Sequence, residues 1–416
     1  MYVYRHIESF EREVRVMKWK ALLIITASLC LLFSVANAEK TPETIKIGGV
    51  YSLTGADSSV GRQVETGYNM AIEDMNENGG VYVKEFDQKI PLELVAMDME
   101  ANPEKAVSRA ETLISAHGVK VFVGTTFFSA AVNVTERSKI PAVVVACAGQ
   151  RLHDRGYNYW FNPLGTSPRI AVRIFELLDS IPKENRPAKI VIFEEKTDWG
   201  IEMSECFQEE MKKRDHYRLT GVQKYTIMSR DYSPQILAAK SAGAEVLLSS
   251  PIMPDGMSIM RQMKELDYNP KAVVMIRAPD DLPWARALGP IGNYVLFSTG
   301  WHHSLDYPGV QELNEKHQAR FNRPADVMTG PAYASIQIIA DAIERAGTLD
   351  TVKIRDAVAA TDIKTVLGPV NFNPDGTNKS TIGPVAQWQN KTQELVFPRE
   401  LATKPLIYPM PKWSER

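Results

Sequence analysis

Cysteine is scarce in this chain, which holds Cys30, Cys147 and Cys206 and no other. Cys30 lies in an apolar stretch near the amino terminus, so a disulfide scaffold is excluded by count. Cys147 at a strand end and Cys206 on a helix far along the chain read as separate buried thiols rather than one bridge. An excess of either charge is lacking too: 48 Lys and Arg stand against 50 Asp and Glu, a formal net charge of -2. Without a basic stripe, nucleic acid and anionic membrane surfaces are excluded as the main partner. After the amino-terminal stretch no apolar run is long enough to span a bilayer. Nor does the sequence contain HExxH, GxSxG, a Walker A lysine loop, or GxGxxG after its first strand.

The remaining candidates for chemistry are weak. His302 and His303 with Asp306 and His317 are metal-ligating residue types, but neighbours on a strand point apart and the spacing fits no known site. They read as solvated loop histidines, and no metal or other cofactor is expected. Glu194-Glu195 ends a strand with no partner carboxylate for acid-base work, and reads as solvated charge. Three glycosylation sequons, at Asn133, Asn378 and Asn390, belong to a pattern with a high chance frequency. An α/β chain without a catalytic set points to binding rather than turnover, so an enzyme is not expected.

The amino terminus has the three parts of a secretory signal: basic Met17 to Lys20, apolar Ala21 to Phe33, and Ala36-Asn37-Ala38 as the cleavage site. Translation from Met1 or from Met17 fits equally. Cleavage after Ala38 would release the chain to the periplasm, and the residues before Cys30 make a poor lipoprotein box, which favours a soluble exported protein.

The 416 residues are long for a single core and suggest two lobes. Apolar strands alternate with helix-period stretches: strand Ile45 to Tyr51, helix to Gly79-Gly80, strand Ile90 to Met97, then a helix opened by Asn102-Pro103. Ser167-Pro168 and Ser233-Pro234 are expected to cap further helices between strands at Lys189 to Phe193, Glu245 to Ser250 and Ala272 to Arg277. This alternation argues for parallel sheets covered by helices on both faces. From Pro308 the pattern becomes helical. The tail (Val366 to Phe372, Val385 to Gln389, Glu394 to Phe397) reads as short antiparallel strands. The stretch Val121 to Gln150 holds two strands, each followed by a loop of small residues. In an open α/β sheet the carboxyl ends of the strands are where a ligand binds, so Thr125, Thr126, Ser129, Ala148 and Gly149 converge on one candidate pocket.

IKIGGVYSLTGADSSVGRQVETGYNMAIEDMNENGG (Ile45 to Gly80) resembles the start of the branched-chain amino acid-binding group of type I periplasmic binding proteins. The likeness continues through VGTTFFSAA, IPAVVVACAG, TDWG, RQMKELDY, AYASIQIIADAIERAG and VLGPVNFNPDG, in order over the mature chain. The resemblance implies two Rossmann-like lobes with parallel central sheets, joined by crossovers near Trp160 to Pro163, Thr299 to His303 and Thr365 to Pro369. Lobe 1 would comprise 39–160 with 303–365, and lobe 2 would comprise 161–302 with 366–416. It further implies a monomer that traps a small ligand between the lobes and delivers it to the membrane permease of an ABC importer.

Carried over residue by residue, the likeness places the carboxylate-holding loop serines on Phe128 and Ser129. The next loop falls on Ala146 to Gly149, Ala148 included. Aromatic wall residues fall on Trp199 and Tyr333, and a further wall position lies near Ile252 or Met253. The departure comes at Arg277-Ala278, where amino-acid binders carry a glutamate for the ligand ammonium. An arginine there donates and accepts nothing, so it favours an anionic group. With Phe127, Phe128, Trp199, Tyr333 and Met253 as flat apolar surface, the expected ligand is a small organic acid, aromatic acids included, ahead of a hydrophobic amino acid. A ligand sensor of the same fold controlling a receptor or regulator is the second reading, and an exported hydrolase the third.

Overall fold

The computed structural model describes residues 41–280, 282–380 and 383–416, together with Met17 and Trp19. The expected cleavage site at Ala38 and the Cys30 stretch lie outside the described residues. Within Thr44–Arg416, which forms one unit, the apolar runs make two sheets. The first contains β1 (Ile45–Tyr51), β2 (Leu92–Asp98), β3 (Val121–Gly124), β4 (Ala142–Val144) and β5 (Trp160–Phe161). All its neighbours are parallel, in the order β2-β1-β3-β4-β5. The second contains β6 (Lys189–Glu195), β7 (Arg218–Tyr225), β8 (Val246–Ser249), β9 (Ala272–Met275) and β10 (Leu296–Ser298), again parallel. Two antiparallel strands, β11 (Val385–Gln389) and β12 (Thr392–Phe397), extend it in the order β12-β11-β10-β9-β8-β6-β7.

Each lobe thus repeats one wiring: its first strand lies between its second and third. The strand order reverses between β1 and β3 in one lobe and between β6 and β8 in the other. At such a reversal the crossover helices leave in opposite directions and open a crevice at the carboxyl ends of the strands. The helices that follow from this wiring are α1 (Ser58–Glu77), α2 (Pro103–Thr112) and α3 (Gln150–His153) in the first lobe, with α4 (Ser167–Ser180), α5 (Asp198–Lys212) and α6 (Met253–Glu265) in the second. A later helix, α7 (Thr329–Ala346), returns to pack on α1. Gly67 permits that approach, since a Cβ there would lie 2.3 Å from the Thr329 carbonyl oxygen. Among the described residues no helix is long and apolar enough to cross a membrane.

Local chemistry departs from the sequence expectation in three places. Asn102 does cap α2, its Oδ1 accepting from Glu104 N (2.8 Å) and Lys105 N (3.0 Å). Ser167 and Ser233 do not cap, because each already lies inside its helix. The strand expected at Ile90 to Met97 is broken at Pro91, and Gln88–Ile90 pairs instead with Val81–Val83 in a separate hairpin. The strand expected at Val366 to Phe372 is shorter, Gly368–Asn371. Asp362–Thr365 and Gly368–Asn371 form an antiparallel hairpin. Gly368, at φ +91°, supplies the backbone that closes this turn, and the chain passes towards β11 only after Phe372.

The second passage carries His302 and His303, their rings 4.1 Å apart. The solvated reading of these histidines is corrected: His302 and His317 are buried. His302 Nε2 donates to Gln393 O at 3.0 Å, and Nδ1 accepts from the Ser304 hydroxyl (2.7 Å) and backbone N–H (3.2 Å). Both nitrogens are engaged, and only the neutral ring matches those partners. Burial, and secondarily His303, hold the His302 pKa down at about 3 from an ordinary 6.5. A histidine with a depressed folded pKa contributes stability above its unfolded value, and that stability is lost as pH falls from 6.5 towards 3. We expect about 2 kcal/mol less stability at pH 5 than at pH 7 from this residue. Urea midpoints across that range check it, and the dependence should flatten in His302→Gln.

Candidate ligand-binding site

The first lobe contributes the loops after β3 and β4. Thr126 Oγ1 donates to Ala146 O at 2.8 Å and ties one loop to the other. The residues between form a short 3-10 turn, Thr126–Ala131. Its tightness turns Phe128 inward and leaves Ser129 half-exposed. Phe128 is 0% exposed, its ring 5.5 Å from Phe122 and 5.4 Å from Trp160. The reading of Phe128 as a ligand-facing position is therefore corrected: it is core. Phe127 and Ser129 remain partly accessible, and the Ser129 hydroxyl bonds the Cys147 thiol. Burial pushes that thiol up to about 12, with Glu202 adding to the shift, so Cys147 is an inert neutral group. In the next loop Ala146 takes φ +54°. The backbone N–H groups of Ala146, Cys147, Ala148 and Gly149 donate to no acceptor among the described residues. Successive unpaired amides in a turn make a concavity suited to an anion.

The second lobe contributes Arg277, Trp199 and the end of β6. Arg277 follows β9 at φ +84°, a conformation costly for a residue with a Cβ and kept only where the surroundings fix it. They do so here across the reversal of strand order. Arg277 Nη2 donates to Glu195 Oε2 at the end of β6 (2.9 Å) and to Ser250 O after β8 (3.1 Å), and Nε donates to Pro251 O (3.4 Å). The guanidinium lies 5.0 Å above the Trp199 ring, a cation–π contact. Its Nη1 has no hydrogen-bond partner among the described residues, and the side chain keeps 18% exposure. Glu195, by contrast, is 1% exposed, and its other oxygen accepts from Thr197 Oγ1 at 2.9 Å. The expectation that Glu194 and Glu195 are solvated is thus wrong; both are buried, Glu194 facing Lys224 at 3.0 Å. Nearby Asp255 is also buried and accepts from Met228 N through both oxygens (3.0 and 3.1 Å). Burial raises its pKa against that hydrogen bond, and it feels both Glu195 and Arg277.

The lobes touch at one end of this crevice. The hydroxyl of Ser167, left free by not capping, donates to Ala148 O at 2.9 Å and accepts from Trp199 Nε1 at 3.1 Å. A Cβ on Gly149 would lie 4.0 Å from Trp199 Cδ1 and 3.6 Å from Glu202 Oε2. Glu202 of α5 accepts from Gln150 N (2.7 Å) and Arg151 N (3.3 Å) at the start of α3, and Arg151 also pairs with Glu205. Trp199 therefore stands between the free amides of the first lobe and Arg277 of the second. Met253 opens α6 two residues beyond Pro251, half-buried beside the same edge. Tyr333 does not join them. Its hydroxyl donates to Asp74 Oδ2 at 2.7 Å, near the far end of α1, because the face of α7 that carries it packs along α1. Sequence reading missed Ser167, Glu202 and the burial of Glu195. The uncharged helix start at Ser167-Pro168 and the paired acids at the β6 exit were visible, but their partners lie far away in the chain.

Two lobes whose parallel strands share one order, each opening a crevice where that order reverses, have the architecture of a binding protein for a small solute. The chain belongs to the periplasmic binding protein family, whose model matches residues 44–393. It is similar to Leu/Ile/Val-binding protein homolog 7 of Brucella suis biovar 1, with 26% identity over 396 residues, covering 90% of this chain and 96% of that one. Among solved structures, a leucine-binding protein from Thermotoga maritima has the same fold at a TM-score of 0.74 and 20% identity, covering 85% of this chain and 97% of that one. A solute-binding protein of an ABC transporter from R. palustris, solved in complex with benzoate, does so at 0.72 and 15%, covering 84% and 94%. Family membership makes this an extracytoplasmic solute-binding protein rather than an enzyme.

Proposed function

We propose that the mature protein, released after Ala38, captures a small organic acid with a flat apolar body and delivers it to the membrane permease of an ABC importer. In this reading Ser129 and the amides of Ala146, Ala148 and Gly149 hold the carboxylate. Trp199 and Met253 wall the apolar body, and Arg277 faces it from the second lobe. The observation that carries the proposal is Nη1 of Arg277, which has no hydrogen-bond partner among the described residues, at the reversal of strand order. An amino acid would need an accessible carboxylate for its ammonium, and Glu195 at this edge is 1% exposed and already accepts from Arg277 and Thr197. Because the ligand touches both lobes, it binds the closed arrangement more tightly than the open one and shifts the population towards closure.

The names of relatives point to leucine-like ligands and one neighbour's complex points to benzoate, so a panel decides. Aromatic acids, aliphatic acids and hydrophobic amino acids are added to purified protein and thermal unfolding is followed. A matching acid at a hundred times its Kd should stabilise by about 2.7 kcal/mol. Stabilisation by leucine, isoleucine or valine alone would sink the acid reading.

A further inference from the structure

Arg277 is an unusual receptor for an anion, because its charge is already answered. Glu195 lies 2.9 Å from Nη2, and Asp255 is a second buried acid within electrostatic reach of the guanidinium. Ser250 O and Pro251 O occupy the remaining donors of the Nε/Nη2 edge, while Trp199 covers one face. A carboxylate engages arginine best through two parallel N–H bonds along one edge. That edge is taken, and among the described residues Nη1 alone is left without a partner. The amides of Ala146 to Gly149 have no such compensation on their own loop, although Glu202 stands beside Gly149, its oxygens held by the amides of Gln150 and Arg151.

Building on the acid reading above, we infer that Glu195 is the specificity-determining residue of this cleft. By holding one edge of Arg277 and cancelling its charge, it admits monocarboxylic acids whose far end bears a neutral acceptor, and it rejects dicarboxylates. The ligand class is then a hydroxy- or oxo-substituted monoacid, with its carboxylate on the first lobe and a single oxygen on Arg277 Nη1. Glu195 does not touch the ligand; it is a positioning residue that acts through Arg277. A second carboxylate brought to this place would lose water and gain no uncompensated cation, a net cost in a partly buried site.

The test is calorimetric titration of benzoate, para-hydroxybenzoate and terephthalate, run beside hexanoate, its omega-hydroxy derivative and adipate. In the wild type the hydroxy acid of a series should bind tightest and the diacid at least about tenfold more weakly. Glu195→Gln keeps an acceptor for Nη2 but removes the charge, and should raise the diacid about tenfold relative to the hydroxy acid. Glu195→Asp, which restores the charge, should return the preference towards the wild-type order. A diacid that beats the hydroxy acid in the wild type overturns the inference, as does an unchanged ratio in a folded Glu195→Gln protein. If acids bind without this discrimination, the assignment of Glu195 falls and the acid reading stands. If none binds while leucine does, both fall.

Discussion

Replacing Arg277 with alanine should lower affinity for the best-binding acid by about a hundredfold, close to 3 kcal/mol. The wild-type edge of the second lobe holds a matched pair, Arg277 with Glu195 at 2.9 Å. Removing the cation deletes the Nη1 donor and also leaves Glu195, 1% exposed, as an unanswered carboxylate behind the ligand. The site then changes from neutral to negative, which an anionic ligand feels more than an uncharged one. The same substitution should lower unfolding stability, since breaking a buried pair strands its partner. Affinity is therefore measured on the folded fraction, at a temperature well below the onset of melting. Arg277→Lys is the companion: it keeps the charge but not the fork, and should recover part of the affinity. Acid affinity within about threefold of wild type in the alanine variant, a difference below 1 kcal/mol, would remove Arg277 from the site.

How far the sequence disclosed this arrangement depends on how local each signal is. The strand and helix alternation was legible because periodicity and turn residues act within a dozen positions, and the parallel sheets followed from it. The tail strands Val385–Gln389 and Thr392–Phe397 are antiparallel as expected, but Gly368–Asn371 pairs with Asp362–Thr365 before it rather than with them. Arg277 drew notice because it departs from the pattern that the chain otherwise resembles. What was not legible is which partner each side chain meets. Glu195 and Arg277 are 82 positions apart and Gln150 and Glu202 are 52 apart, and nothing in their neighbours encodes those pairings. Tyr333 shows the same limit from the other side. A tyrosine on an apolar helix could face a cleft or a neighbouring helix, and the close approach at Gly67 gives that face to α1.

Phe128 shows most clearly how the two kinds of information differ, and its removal should have the largest effect on folding. The sequence offers Phe127 and Phe128 as equivalent aromatic residues in a candidate ligand loop. The 3-10 turn separates them, and Phe128 goes fully inside against Phe122, Trp160 and Gly124. Gly124 is part of the fit: a Cβ on it would lie 2.5 Å from the Phe128 ring. Phe128→Ala removes a whole aromatic ring from a packed site that only partly collapses, and should cost about 3–5 kcal/mol. The urea midpoint should fall while its slope stays the same, since the surface exposed on unfolding changes little. Ligand affinity of the folded fraction should stay within about threefold, under 1 kcal/mol. A cleft-wall residue would give the opposite pattern, a weakened Kd with an unshifted midpoint. Trp160 ends the first sheet where the chain leaves for the second lobe. A cavity beneath it therefore loosens the base of the first passage, and faster unfolding of the first lobe is the expected kinetic counterpart.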